Sequence, residues 1–330
     1  MSDPSRPNPS APDPTAAARR RRGLPVNERG RLVLAAVALI ACGMLWSSNT
    51  VLVRGLRTDV PPIAFAAARW AIAAVVLLPF AWRPLMRDMP LVRAHWRALV
   101  AAGVVGIALF TVVLFIGVQN TVALNSGLLS ATQSLWVGLV AWAVLGDRLN
   151  RWQWIGFLIA ACGAAVIVTQ GHLTEFEQID FRIGDPIYLA SLVIWGFYSV
   201  ILQKLPRGLH IRTILLVTAV VGALALMPLW LGEVVFIRDM TWSWEVAAAL
   251  VYGAVFSGIG AFGLWNLGVV LIGASSASFF MYLIPLYTGF FAVVLLGETL
   301  HLFHLAGAVL ILAGVIAAGR GARARKPSGD

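Results

Sequence analysis

Arg69 sits about eight residues inside an apolar run that begins at Pro62, roughly 12 Å deep if the run is a membrane helix rising 1.5 Å per residue. A charge at that depth costs on the order of 2.5–3.5 kcal/mol on insertion scales and usually faces a cavity or a partner. It can hold an anion or a carboxylate. The competing reading is a structural arginine bonded to carbonyls or snorkelling outward. Other apolar runs hold Trp46, Asn49, Gln133, Trp195, Tyr198, Trp265, Asn266 and Tyr282. Together these offer aromatic faces and neutral hydrogen-bonding groups, the mixture of a mostly apolar pocket with a few placed polar atoms. Asn49 follows Trp46 by three residues, so the two share a helix face. These nine residues are the candidate substrate-binding set. For the polar members the alternative is interhelical hydrogen bonding; for the aromatic ones it is lipid contact. Interfacial positions suit Trp96, Trp152, Trp154, Trp242 and Trp244, at the ends of apolar runs.

Other chemistries find little support. No Asp or Glu lies in the middle of an apolar run, which argues against a buried carboxylate proton relay. Asp147 and Glu298 end their runs and are read as interfacial groups bonding loops and backbone, with gating as the minority reading. Proton coupling would have to use these two, Arg69 or the substrate itself. Gly258 to Gly263 formally matches G-x-G-x-x-G, but no strand precedes it, so a dinucleotide site is not expected. His301 and His304 lack further ligands for a metal. Cys42 and Cys162 lie inside apolar runs and suggest neither a disulfide nor a metal site. There is no P-loop, paired Asp or Ser–His dyad, so an enzyme, a cofactor and nucleotide-driven transport are all unexpected.

The elements that must position these residues are apolar helices. The 330 residues are 59% hydrophobic and 12% charged, with mean hydropathy +0.83, where a soluble domain has about 25% charged residues. Ten runs are expected to span a membrane, at roughly 32–53, 62–82, 98–118, 122–145, 153–169, 186–202, 213–231, 246–270, 274–296 and 303–319. Lipid offers the backbone no partners, so each is helical. The segment 1–31 reads as a disordered basic tail rather than a signal peptide. The polar stretch 170–185 is a connector, and 320–330 a basic tail. The net charge of +10 sits in short loops and tails, as topology signals do, and does not indicate nucleic acid. With the N-terminus inside, cytoplasmic segments hold 20 Lys and Arg and the outer ones four, Arg54, Arg57, Arg182 and Arg238. Both termini are therefore expected in the cytoplasm.

The chain also repeats itself. At an offset of 151 residues, Leu114–Ala165 pairs without a gap with Trp265–Ile316, and ten of 52 positions agree. Five are glycines: Gly117/Gly268, Gly138/Gly289, Gly146/Gly297, Gly156/Gly307 and Gly163/Gly314. Apolar composition does not readily align five glycines in one register, so the repeat is structural. Each half, 32–169 and 186–319, holds five runs. Five is odd, so the second half enters the membrane inverted. Inverted repeats are an architecture of secondary transporters, with the site near the midplane between them.

These features resemble the drug/metabolite transporter superfamily in its ten-span EamA-type branch. The resemblance rests on Trp46-Ser-Ser-Asn49, Pro62 through Arg69, Gly184-Asp185 and Trp195. In the second half it rests on Leu264-Trp265-Asn266, Gly273-Ala274-Ser275, Pro285, Gly297-Glu298 and Gly307 to Gly314. It covers about 32–319. Three positions depart from the family pattern: Ser134 replaces a proline, Asp147 a glutamate and Phe262 a common tyrosine. The resemblance implies an all-α polytopic carrier of a bacterial inner membrane, moving amino-acid-like, nucleobase-like or drug-like solutes, often outward. The expected partners are a small-molecule substrate and membrane lipids, with protons as a coupling ion and a homodimer left open. An intramembrane enzyme and a scaffold or lipid-binding protein are the alternatives.

Overall fold

The computed structural model describes residues 28–146, 151–171, 182–206, 208–272, 280 and 283–323. They form helices throughout: α1 Glu28–Gly55, α2 Pro62–Ala94, α3 Trp96–Gln119, α4 Ala123–Ser130, α5 Gln133–Leu145, α6 Arg151–Val168, α7 Gly184–Gln203 and α8 Ile211–Phe236. Then come α9, built from Trp244–Val251, Tyr252–Gly260 and Ala261–Ile272, α10 Ile284–Leu296 and α11 Leu302–Arg323. Among the described residues six helices are long and apolar enough to cross a membrane, and the bent pair α4–α5 makes a seventh. The helices α6, α10 and α11 are shorter and apolar. The tails 1–27 and 324–330, the connector 172–181 and Asp147 lie outside the described residues.

Packing follows the repeat. In the first half α1, α2, α3, α4–α5 and α6 correspond in order to α7, α8, α9, α10 and α11. Helix α1 packs on α9 and α10, while its counterpart α7 packs on α3 and α5. The pairs α2–α8 and α6–α11 are each their own counterparts. Exchanging the halves therefore maps the pattern onto itself, as a twofold relation requires. The α6–α11 seam shows what the repeated glycines do. A Cβ on Gly163 would lie 2.8 Å from the Gly307 carbonyl oxygen, and one on Gly314 would lie 2.5 Å from that of Gly156. Two repeated pairs thus bring backbone against backbone across the seam, as small residues do between membrane helices.

The fourth span bends by 51° between α4 and α5 without a proline. Here the hydroxyls of Ser130 and Thr132 donate back to the carbonyls of Gly127 and Leu129, at 2.6 and 2.7 Å. Such back-bonding competes with the helical ladder. In α10 the matching turn has Pro285 in the first turn of the helix, where a missing N–H costs nothing.

The helix that holds the second apolar run continues past 82 to Ala94, through Pro84 and Pro90. The extension carries Asp88 to the start of α8, where its carboxylate accepts bonds from the His210 N–H at 2.8 Å and the Thr213 hydroxyl at 2.6 Å. At the other end of the pair, the Glu233 carboxylate of α8 accepts from the N–H groups of Ile63 at 3.3 Å and Ala64 at 2.6 Å, at the start of α2. Both carboxylates are buried. Each meets N–H groups that a helix start leaves without partners.

Candidate functional site

A cavity of about 120 Å³ lies between the halves. Helices α1, α2, α3, α4 and α5 reach it from the first half, and α7, α9 and α10 from the second. Its floor is aromatic. Phe262 of α9 is the hub, with ring centroids 5.5 Å from Trp46, 6.4 Å from Trp70 and 6.4 Å from Trp195. Trp195 in turn packs against Phe110, with centroids 4.9 Å apart and the rings tilted by 50°. The Trp70 indole N–H donates to the Thr111 hydroxyl at 3.1 Å, fixing that ring.

Arg69 enters this wall with its guanidinium carbon 4.9 Å from the Trp70 ring and 5.1 Å from the Phe115 ring. The quadrupoles of the two rings hold the cation without neutralising it. The residue is 7% exposed, its Nε has no hydrogen-bond partner, and no Asp or Glu lines the cavity among the described residues. Asn49, 6% exposed, has an unpartnered Oδ1 beside it. Gly253 leaves room for both side chains, since a Cβ there would come 2.9 Å from the Arg69 side chain and 3.3 Å from Asn49 Oδ1.

Both middle helices widen at the cavity. Val104–Leu109 of α3 and Tyr252–Gly260 of α9 are π-helical, a geometry that concentrates at functional sites. Moving Val104–Leu109 by the 151-residue offset lands on positions 255–260, inside the second stretch. Gly106 and Ser257, related by that offset, both face the cavity.

Beyond the cavity, side chains of the second half hold the start of α4. The Glu298 carboxylate accepts from the N–H groups of Ala123 at 2.8 Å and Leu124 at 2.9 Å, the backbone role expected of it. Fully buried Asp185 accepts from the Thr121 hydroxyl and from the Asn125 amide, the latter at 3.0 and 3.2 Å. That amide orientation leaves Asn125 Oδ1 to accept from His304 Nε2 at 3.0 Å, so His304 Nδ1 accepts from the His301 N–H at 3.0 Å. His304 is buried and serves this latch, with no metal-binding cluster among the described residues.

Of the nine candidate residues, Trp46, Asn49, Arg69, Gln133 and Trp195 stand on the cavity wall. Trp265 sits behind Trp46 at 6.3 Å, and Tyr198 behind Trp195 at 5.1 Å, packed on Gly106. Tyr282 and the side chain of Asn266 lie outside the described residues. Sequence reasoning passed over Trp70, Phe115, Tyr188, Ser257 and Phe262, all on the wall. Trp70 carried a signal, adjacent to the buried charge. Phe262 was visible only as a departure from a tyrosine pattern.

An all-helical bundle of apolar spans, folded as two related halves around a shared cavity, defines a multi-pass membrane transporter. The chain belongs to the EamA-like transporter family, whose sequence pattern matches it twice, over residues 33–169 and 182–320. It is similar to the uncharacterized transporter YyaM of Bacillus subtilis (strain 168), with 26% identity over 78% of this chain and 84% of that protein. It is 27% identical to the aromatic amino acid exporter YddG of Salmonella typhimurium, over 84% of this chain and 94% of the other. A probable terminal-alkyne amino-acid exporter of Streptantibioticus cattleyicolor is 26% identical over 87% and 93% of the two chains. Among the solved structures that match, a crystal structure aligns with a TM-score of 0.55 and 22% identity, over 88% of this chain and 98% of that one, which shows the fold.

Proposed function

We propose that this chain is a secondary transporter that moves a small, partly apolar organic solute out across a bacterial inner membrane by alternating access. The observation that carries the reading is the buried Arg69, with no Asp or Glu among the described residues that line the cavity, on a wall to which both halves contribute. The substrate set is Trp46, Asn49, Arg69, Gln133 and Trp195 at the wall, supported from behind by Tyr198 and Trp265, with Asn266 and Tyr282 added from the repeat pattern. Two relatives bear names of amino-acid exporters, which favours an amino-acid-like solute, in the sense of a carboxylate of that size, over the nucleobase-like and drug-like classes.

The proposed organisation is ten spans in two inverted units, 32–169 and 186–319. The connector 170–185 lies outside, and the tails 1–31 and 320–330 are cytoplasmic. The two family matches, the self-mapping helix pairs and the charge bias of the loops all support it. The deciding experiment is a panel of carboxylated, nucleobase and amine solutes in proteoliposomes, with and without a pH gradient. At least one aromatic carboxylate is expected to move faster than through protein-free vesicles. If no solute does, the reading falls. The pH-gradient arm tests protons as the coupling ion, and light scattering tests a homodimer.

A further inference from the structure

Charge accounting at the cavity narrows the substrate class. The inference rests on the proposal that the cavity is the solute site. Arg69 brings one positive charge, held between two rings, with no ionised partner among the described residues. The other polar groups on the wall, Asn49, Thr50, Thr111, Ser130, Gln133 and Ser257, are neutral. A monoanion leaves the occupied site with no net charge. A zwitterion brings a second cation into the same apolar enclosure, where no Asp or Glu among the described residues lines the wall to pair with it. A buried charge without a partner is strongly unfavourable. Asn49 Oδ1 adds a second requirement, since it is a buried acceptor lacking a donor. Its position beside Arg69, across Gly253, suits a neutral O–H or N–H close to the bound carboxylate. The rings of Trp46, Trp70, Trp195 and Phe262 leave the remaining wall to a flat apolar body.

We propose that the cavity selects an aromatic monocarboxylate with a neutral hydrogen-bond donor next to the carboxylate, such as a 2-hydroxy or N-acyl acid, over the corresponding zwitterionic amino acid. Arg69 holds the carboxylate and Asn49 accepts from the neutral donor.

The test is isothermal titration calorimetry of the full chain in nanodiscs at neutral pH, with 3-phenyllactate, phenylalanine and phenethylamine. These share one ring and differ in charge. Phenyllactate is expected to bind at least about tenfold more tightly than phenylalanine, and phenethylamine not to bind. Arg69→Gln is expected to weaken phenyllactate at least about tenfold while leaving phenethylamine unchanged or improved. Phenylalanine binding as tightly as phenyllactate, or more tightly, overturns the monoanion assignment and leaves the solute site standing. If none of the three binds to the parent protein, the solute site falls with the assignment. The comparison is made on the parent chain, so it holds even if the variant fails to fold.

Discussion

Asp88 and Glu233 each hold the start of the other's helix. Asp88, on α2, binds the His210 N–H and Thr213 hydroxyl beside α8, and Glu233, on α8, binds the Ile63 and Ala64 N–H groups of α2. The antiparallel pair is thus pinned at both ends by buried carboxylates, each on helix-start groups that lack intrahelical partners. A carboxylate also complements the positive end of a helix dipole.

Asp88→Ala and Glu233→Ala are each expected to destabilise the protein by about 1–3 kcal/mol, as loss of hydrogen bonds to a charged group does. The two sites are separated by most of a helix, on the order of 36 Å for the 24 residues from Ala64 to Asp88, so the double variant should show additive losses. Thermal unfolding in detergent measures this. A double variant no worse than either single one would show that the ends are not independent.

The repeated glycines divide into two kinds. Gly163→Ala and Gly314→Ala push a methyl against facing backbone and are expected to cost about 1–3 kcal/mol each. Gly138 has nothing within 4 Å of its would-be Cβ, so Gly138→Ala should be neutral or slightly stabilising. Equal losses at all three would mean that the α6–α11 seam does not depend on close approach.

At the cavity, Asn49→Ala and Gln133→Ala are each expected to weaken solute binding by about 0.5–1.5 kcal/mol, roughly 2- to 13-fold in KM, with membrane insertion intact. Phe262→Ala should weaken it more than Trp265→Ala, because Phe262 lines the wall and Trp265 stands behind Trp46. Uptake kinetics in proteoliposomes give the ranking, and the opposite order would move the pocket toward α1.

His304→Leu removes both hydrogen bonds of the latch, while a Gln at that position retains a donor and an acceptor. Hydrogen exchange at Asn125–Ser130 is expected to rise in the Leu variant and to stay near the parental level in His304→Gln. Equal exchange in the two would show that burial alone, without hydrogen bonding, keeps His304 in place.

Topology is tested by reporter fusions. One after Arg207 should report the cytoplasm and one at Glu177 the outside. An outside signal at Arg207 breaks the inverted arrangement.

Much of the fold was legible because lipid leaves the backbone one solution per span and because the glycine register marks the repeat. The five wall residues found in advance were polar or aromatic groups out of place among aliphatic neighbours. Trp70 and Phe262 were hidden by that same apolarity. A helix that is hydrophobic all round carries little periodic signal, so its cavity face and its lipid face look alike. Asp185 closed a polar connector and His304 was a histidine without further metal ligands, and only the fold shows that Asn125 joins them. The reach of α2 to Ala94 was masked by Pro84 and Pro90, which usually end a helix. Here the tie from Asp88 to the start of α8 lies between those prolines.

The two π stretches have a mechanical consequence. A π turn winds more residues into each revolution than an α turn, so α3 and α9 each carry spare chain beside the cavity. Drawing that slack out by one residue would swivel the helix beyond it by roughly 100°, the angle between successive residues of an α-helix. Below Leu109 that swivel takes Phe110 and Thr111 off the cavity wall. Below Gly260 it takes Phe262, and with it the contact shared by Trp46, Trp70 and Trp195. The cavity is therefore flanked by two swivels of the same make, one in each half, and a one-residue turn at either would change its lining by rotation while advancing the helix only about 1.5 Å.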